Sequence, residues 1–184
     1  MCDDGPYDIH VFMVAGENSG HPGLPPITLY GGAMRARSEG SVTLNADLDV
    51  VNPVIDHRYG THRAGYDRTV LSEALALLES MVAQPELAAV LGDRVPGKNA
   101  PLDDIVNYCH PAGSCKMGPA TDRTAVVGPD GNVHGISGLY VADASIMPTI
   151  TRGNINLPTA MIGARIAAGL LGIEPRALTA TSTV

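Results

Sequence analysis

One histidine, His110, stands in the stretch NYCHPAGSCKMG (107–118), between a cysteine and a proline and ahead of a run of small residues. Pro111 restricts the backbone, and Ala112, Gly113 and Ser114 add little bulk. The imidazole is therefore the main functional group of the corner, and a large flat ligand can approach the backbone closely. Imidazole accepts and returns a proton near neutral pH, so His110 is either a catalytic base or a structural hydrogen-bonding residue. A second polar cluster, TRGNINLPT (151–159), precedes an apolar helix. Asn154 and Asn156 straddle the point where unpaired N–H groups and the positive end of the helix dipole face outward. That end can stabilise an anionic ligand group. The plainer role is N-capping, which needs only one of the two asparagines.

The remaining histidines invite ordinary structural roles: His10 in a strand, His21, His57 and His62 in loops, His134 among turns. The three cysteines, Cys2, Cys109 and Cys115, fit no disulfide scaffold. With no second ligand pair beside Cys109, His110 and Cys115, no metal site is expected; small buried thiols are the better reading.

The elements that must position these groups follow from pattern. Residues 7–14 alternate as a half-buried strand, 27–30 (ITLY) form a second and 40–45 (GSVTLN) a third, with Val42 and Leu44 on one face. With no helical crossover between them, antiparallel pairing is expected. Residues 67–83 carry the apolar stripe Val70, Leu71, Ala74, Leu75, Leu78, Met81 and Val82 of an amphipathic helix, with Asp67 as its cap. A short helix runs from Pro85 to a stop at Gly92. Leu139 to Ala142 read as a buried strand of a parallel sheet. The last helix begins at Pro158, capped by Asn156, and ends at Gly172 and Pro175; with Arg165 its only charge, it should be buried on most faces. The final residues read as a frayed tail.

Composition narrows the function. Of 184 residues, 45% are hydrophobic, which supports a real core. Lys and Arg number 12 against 19 Asp and Glu, a net charge of −7 without a basic patch, which argues against nucleic acid. One Phe, six Tyr and no Trp weaken any reading built on base stacking or an aromatic cage. The acidic start MCDDGPYDIH is no secretory leader, and no uncharged apolar run is long enough to span a bilayer. A cytoplasmic protein without a membrane partner is the expectation.

Three segments in order, HPAGSCKMG (110–118), DGNVHGISGLYVADASIMPT (130–149) and GNINLPTAMIGARIA (153–167), resemble the C-terminal part of the glucose-methanol-choline (GMC) family of FAD-dependent oxidoreductases. Upstream, LYGGAMRARSEGSVTLN and NPVIDHRYGTHRAGYDRTVLSEALALL resemble its substrate-domain strands and following helix. The resemblance implies an α+β and α/β architecture: an antiparallel substrate-domain sheet with helices over 1–108, then the active-site loop over 109–173 with a C-terminal strand and helix completing a Rossmann-like FAD domain, and a tail over 174–184. It implies that His110 takes the hydroxyl proton of a small alcohol while hydride passes to flavin N5, and that Asn154 holds the substrate oxygen. It sets Asn156, Pro158, Thr159 and Ala160 against the flavin pyrimidine edge, and Asp143 and Ala144 at the ribityl and phosphate portion. Asp143 also suits a plain turn.

The family's GxGxxG unit, which binds the ADP half of FAD, has no match here. The chain is therefore expected to need an N-terminal FAD-binding half or subunit, and alone to be colourless and inactive. The segment before His110 is also shorter than the family's usual one. Two other readings share the residues: hydroxynitrile-lyase-like, non-redox use of the same pocket, and a non-catalytic structural subunit.

Overall fold

The computed structural model describes residues 9–15, 27–47, 52–91 and 105–173. The start of the first strand, the Gly92 stop, Pro175 and the tail lie outside them. Contacts divide the chain into two units, Met1–Tyr108 and Cys109–Val184.

In the first unit, β1 (Ile9–Ala15) and β2 (Ile27–Ala33) pair antiparallel with Phe12 opposite Tyr30 and Val11 opposite Gly31. β2 runs three residues beyond the expected ITLY, through Gly31 and Gly32. The reason is packing: a Cβ on Gly31 would lie 2.9 Å from the Ala74 Cβ and 3.3 Å from Leu78 Cδ1. The missing side chain lets the helix α1 (Tyr66–Val82) settle directly on the strand.

The buried stripe of α1 is Asp67, Val70, Ala74 and Leu78, narrower than the sequence pattern; Leu75 and Met81 are exposed. Asp67 is not the cap, because Gly65 precedes the helix. The Asp67 carboxylate instead accepts the backbone N–H groups of Arg37 at 2.7 Å and Ser38 at 2.8 Å, together with the Ser38 hydroxyl. A buried carboxylate needs this many donors to offset its desolvation. A helix residue thus anchors the loop that follows β2.

β3 (Ser41–Thr43) pairs with β4 (Val54–Asp56), a strand the sequence pattern did not reveal. Both are exposed, and Leu44 is 85% accessible. A short α2 (Pro85–Ala88) starts at Pro85 as expected.

The second unit is built mostly of turns around Val127, Ile146 and Ile166, flanked by Met117, Val133, Val141 and Ile162. Leu139–Ala142 is not a strand: it contributes one isolated bridge, Asn132 to Tyr140, and Leu139 and Tyr140 are exposed. A parallel-sheet strand needs neighbouring strands, and the described residues of this unit contain none.

α3 (Asn156–Leu170) starts two residues before Pro158, with Ile155 as N-cap and no side-chain cap. Asn156 is therefore the first helical residue and not the cap. Pro158 is tolerated at the third position because its missing N–H would have no intrahelical acceptor there. The helix closes as expected at Gly172: Gly172 N–H donates to the Gly169 carbonyl and Ile173 N–H to that of Ala168. It is not buried on most faces. Ile166 is its one buried residue, while Leu157 is 79% and Met161 65% accessible, because only one stripe meets the small core. No helix among the described residues is long and apolar enough to cross a membrane.

Candidate active site

The loop bearing His110 is laid down by backbone pairing. Gly113, Cys115 and Met117 N–H groups donate to the carbonyls of Ala144, Ser145 and Ile146 at 3.2, 2.9 and 2.9 Å. A Cβ on Gly113 would lie 3.2 Å from the Met147 carbonyl oxygen, so a small residue is needed for this approach. The loop of His110 and the ADAS segment, 30 residues apart in sequence, are thereby brought side by side.

His110 is exposed. Its Nδ1 lies 2.9 Å from the carbonyl oxygen of Cys109. A carbonyl only accepts, so Nδ1 carries the proton, and the basic nitrogen of the neutral ring is Nε2. The Cys109 backbone has φ 59°, one of two positive values outside glycine among the described residues. Cys109 is exposed and Cys115 half-buried, so the expectation of buried thiols fails at Cys109. The pairing that shapes the loop needs backbone groups and leaves the Cys109 side chain outside.

Asp143 caps the 3-10 turn Ala144–Ile146, accepting the Ser145 N–H at 2.8 Å. Hydrogen bonding from Ser145 holds its carboxyl below the usual range. The turn role is thus realised, and it orients the segment containing Ala144. Behind that segment, Gly163 of α3 faces the Ala142 carbonyl, which a Cβ would approach to 3.4 Å. Asn154 and Asn156 are both exposed, with Pro158 and Thr159 half-buried and Ala160 exposed. Thr159 is turned inward along its helix: its hydroxyl donates to the Ile155 carbonyl at 2.6 Å.

A third feature holds the chain just beyond the loop. Asp122 accepts the hydroxyl and N–H of Thr124 at 2.7 and 2.9 Å and pairs with Lys116 at 3.0 Å. These contacts, the Thr124 hydroxyl foremost, lower its pKa to about 2. A depressed carboxyl contributes stability that is complete above its unfolded value, near pH 4, and lost as pH falls through the folded value. A carboxyl carbon titration should therefore show Asp122 with a midpoint near about 2, and Thr124→Val should move it up toward the ordinary carboxylate range.

Sequence reasoning missed the aromatic layer of the first unit. Phe12 stacks on Tyr30 with centroids 5.0 Å apart, and Tyr108 meets Phe12 edge-on at 5.1 Å. The Tyr108 hydroxyl and His10 Nδ1 share a hydrogen bond at 2.8 Å. His10, Phe12 and Tyr30 lie on the sheet face opposite Gly31 and α1, as strand alternation requires. The sign available was the alternation His10, Phe12 in β1 with Tyr30 in β2; low overall aromatic content concealed it.

A family model described as GMC oxidoreductase matches residues 36–163. The chain belongs to the GMC oxidoreductase family, whose members are flavoproteins, and its α+β fold is theirs. It is 38% identical over 154 residues to oxygen-dependent choline dehydrogenase 1 of Chromohalobacter salexigens, covering 78% of this chain and 27% of that protein. It is 37% identical over 156 residues to oxygen-dependent choline dehydrogenase of Brucella melitensis, covering 79% and 28%. Among solved structures, pyridoxine 4-oxidase from Mesorbium loti superposes with a TM-score of 0.66 at 26% identity, covering 81% of this chain and 30% of that one. A fungal aryl-alcohol oxidase gives 0.66 at 25% identity over 79% and 25%. The chain thus spans little more than a quarter of the length of the curated relatives it matches.

Proposed function

We propose that this chain is the active-site portion of an FAD-dependent enzyme that oxidises a small alcohol, with His110 as the base. The observation that carries this is the imidazole geometry. Nδ1 is committed to the Cys109 carbonyl, which makes Nε2 the proton acceptor in a loop paired to the ADAS segment.

The residues present fit a flavin. The first-turn amides of Asn156 and Leu157 have no intrahelical acceptor and no side-chain cap, and Asn154 and Asn156 add exposed amide donors. Such a donor set suits an electron-rich ring edge, while Gly113 and Ala144 keep the neighbouring backbone approachable. Asn156, Pro158, Thr159 and Ala160 would border the pyrimidine end, and Asp143 and Ala144 the ribityl and phosphate portion. When bound, FAD supplies the hydride acceptor. His110 takes the hydroxyl proton at Nε2, and the Asn154 amide donates to the oxygen as negative charge develops on it. The alcohol thus loses one proton and one hydride and leaves as a carbonyl compound.

The substrate class we propose is an alcohol bearing an ammonium group. The curated relatives are named as choline dehydrogenases. The net charge of −7 favours approach of such a cation. An N-terminal region or subunit carrying the dinucleotide-binding fold completes the enzyme.

The test is anaerobic mixing of choline with the complete, FAD-loaded protein. Loss of flavin absorbance is expected, together with a weaker response to an uncharged alcohol of the same length. Retained flavin that no alcohol bleaches would leave the non-redox use of the pocket in its place.

A further inference from the structure

The left-handed backbone at Cys109 has no glycine or asparagine to make it easy, and it falls on the residue before His110. For an L-residue, φ 59° admits only the small left-handed well, which confines ψ and so the direction of the carbonyl. That carbonyl is the one accepting from His110 Nδ1 at 2.9 Å. An unfavourable conformation persists only where its surroundings over-determine it. Here the hydrogen bonds from Gly113, Cys115 and Met117 to residues 144–146 hold the loop just downstream.

We propose that Cys109 is a positioning residue whose left-handed backbone aims its own carbonyl at Nδ1 of His110 and thereby selects the tautomer with Nε2 as base. The inference rests on the reading of His110 as the proton acceptor. A neutral imidazole in water prefers its proton on Nε2, the nitrogen that must be vacant to receive one. Which nitrogen is protonated follows from the bond made by the other, so the backbone must impose the less favoured form. The contribution comes from the main chain, not from the thiol. Residues that tolerate a left-handed backbone should therefore serve, and β-branched residues should not.

The experiment records nitrogen-15 resonances of His110 in the complete, FAD-loaded protein, assigned by their loss in His110→Gln. The native protein and Cys109→Asn are expected to show a protonated Nδ1 and an unprotonated Nε2 in the neutral ring. Cys109→Val should shift the proton toward Nε2. Its kcat should fall about tenfold below that of Cys109→Asn, with KM changed by less than about twofold. An Nε2-protonated His110 in the native protein overturns the proposal, as does loss of the Nδ1–H signature in Cys109→Asn. The native spectrum decides even if Cys109→Val fails to fold. If the tautomer shifts in Cys109→Val while neither that variant nor His110→Ala changes turnover, the positioning role stands and the reading of His110 as base falls.

Discussion

Replacing His110 by alanine in the complete, FAD-loaded enzyme should lower kcat/KM for the alcohol by about 10²–10⁴-fold, the usual contribution of a positioned base. Flavin absorbance should be retained, because the candidate flavin contacts come from the ADAS segment and the start of α3. The loss should fall mainly on kcat, since a base acts on the proton in flight and not on binding of the ground state. Asn154→Ala should cost about 10²–10³-fold if its amide meets the developing alkoxide. Steady-state kinetics with anaerobic flavin reduction measure both. Retention of full activity in His110→Ala would remove the basis of the assignment.

A large structural effect is expected from Gly131→Ala. Gly131 has φ 77°, and an added Cβ would lie 2.6 Å from both the Val141 carbonyl oxygen and Ile166 Cδ1. The left-handed conformation costs an L-residue about 1–2 kcal/mol, and overpacking against the core adds about 1–3 kcal/mol. Loss of roughly 2–5 kcal/mol is therefore expected in urea unfolding. Gly138 supplies the control: its φ is also 77°, but a Cβ there meets nothing within 4 Å. Gly138→Ala should show the backbone cost alone, about 1–2 kcal/mol. Equal losses in the two variants would mean that the contact with Val141 and Ile166 contributes nothing.

Several backbone features around the candidate site were legible because their signals are local. The small residues after His110, the turn at Pro129, Asp130 and Gly131, and the stop at Gly172 each follow from what a residue allows its own backbone. The helices at 66–82 and 156–170 were legible from composition and period, to within a residue or two. Three features escape local pattern for one shared reason. Asp67 reads as the cap of its own helix, but its partners, Arg37 and Ser38, lie about thirty residues away. The aromatic layer is hidden by the whole-chain average, because Phe12, Tyr30 and Tyr108 meet across nearly a hundred positions. The apolar content of α3 suggests burial, yet burial depends on what covers a surface, and one stripe alone is covered here.

The sequence by itself determined the family, the chemical groups on offer and the helices that carry them, because periodicity, turn residues and a motif are properties of neighbouring positions. Tertiary structure alone decided the left-handed turn at Cys109, the protonated nitrogen of His110 and the need for glycine at Gly131. The glycine is required where Val141 and Ile166 close on it, and the turn at Cys109 that orients His110 leads into a loop paired with residues 144–146; no local pattern records where such segments will meet.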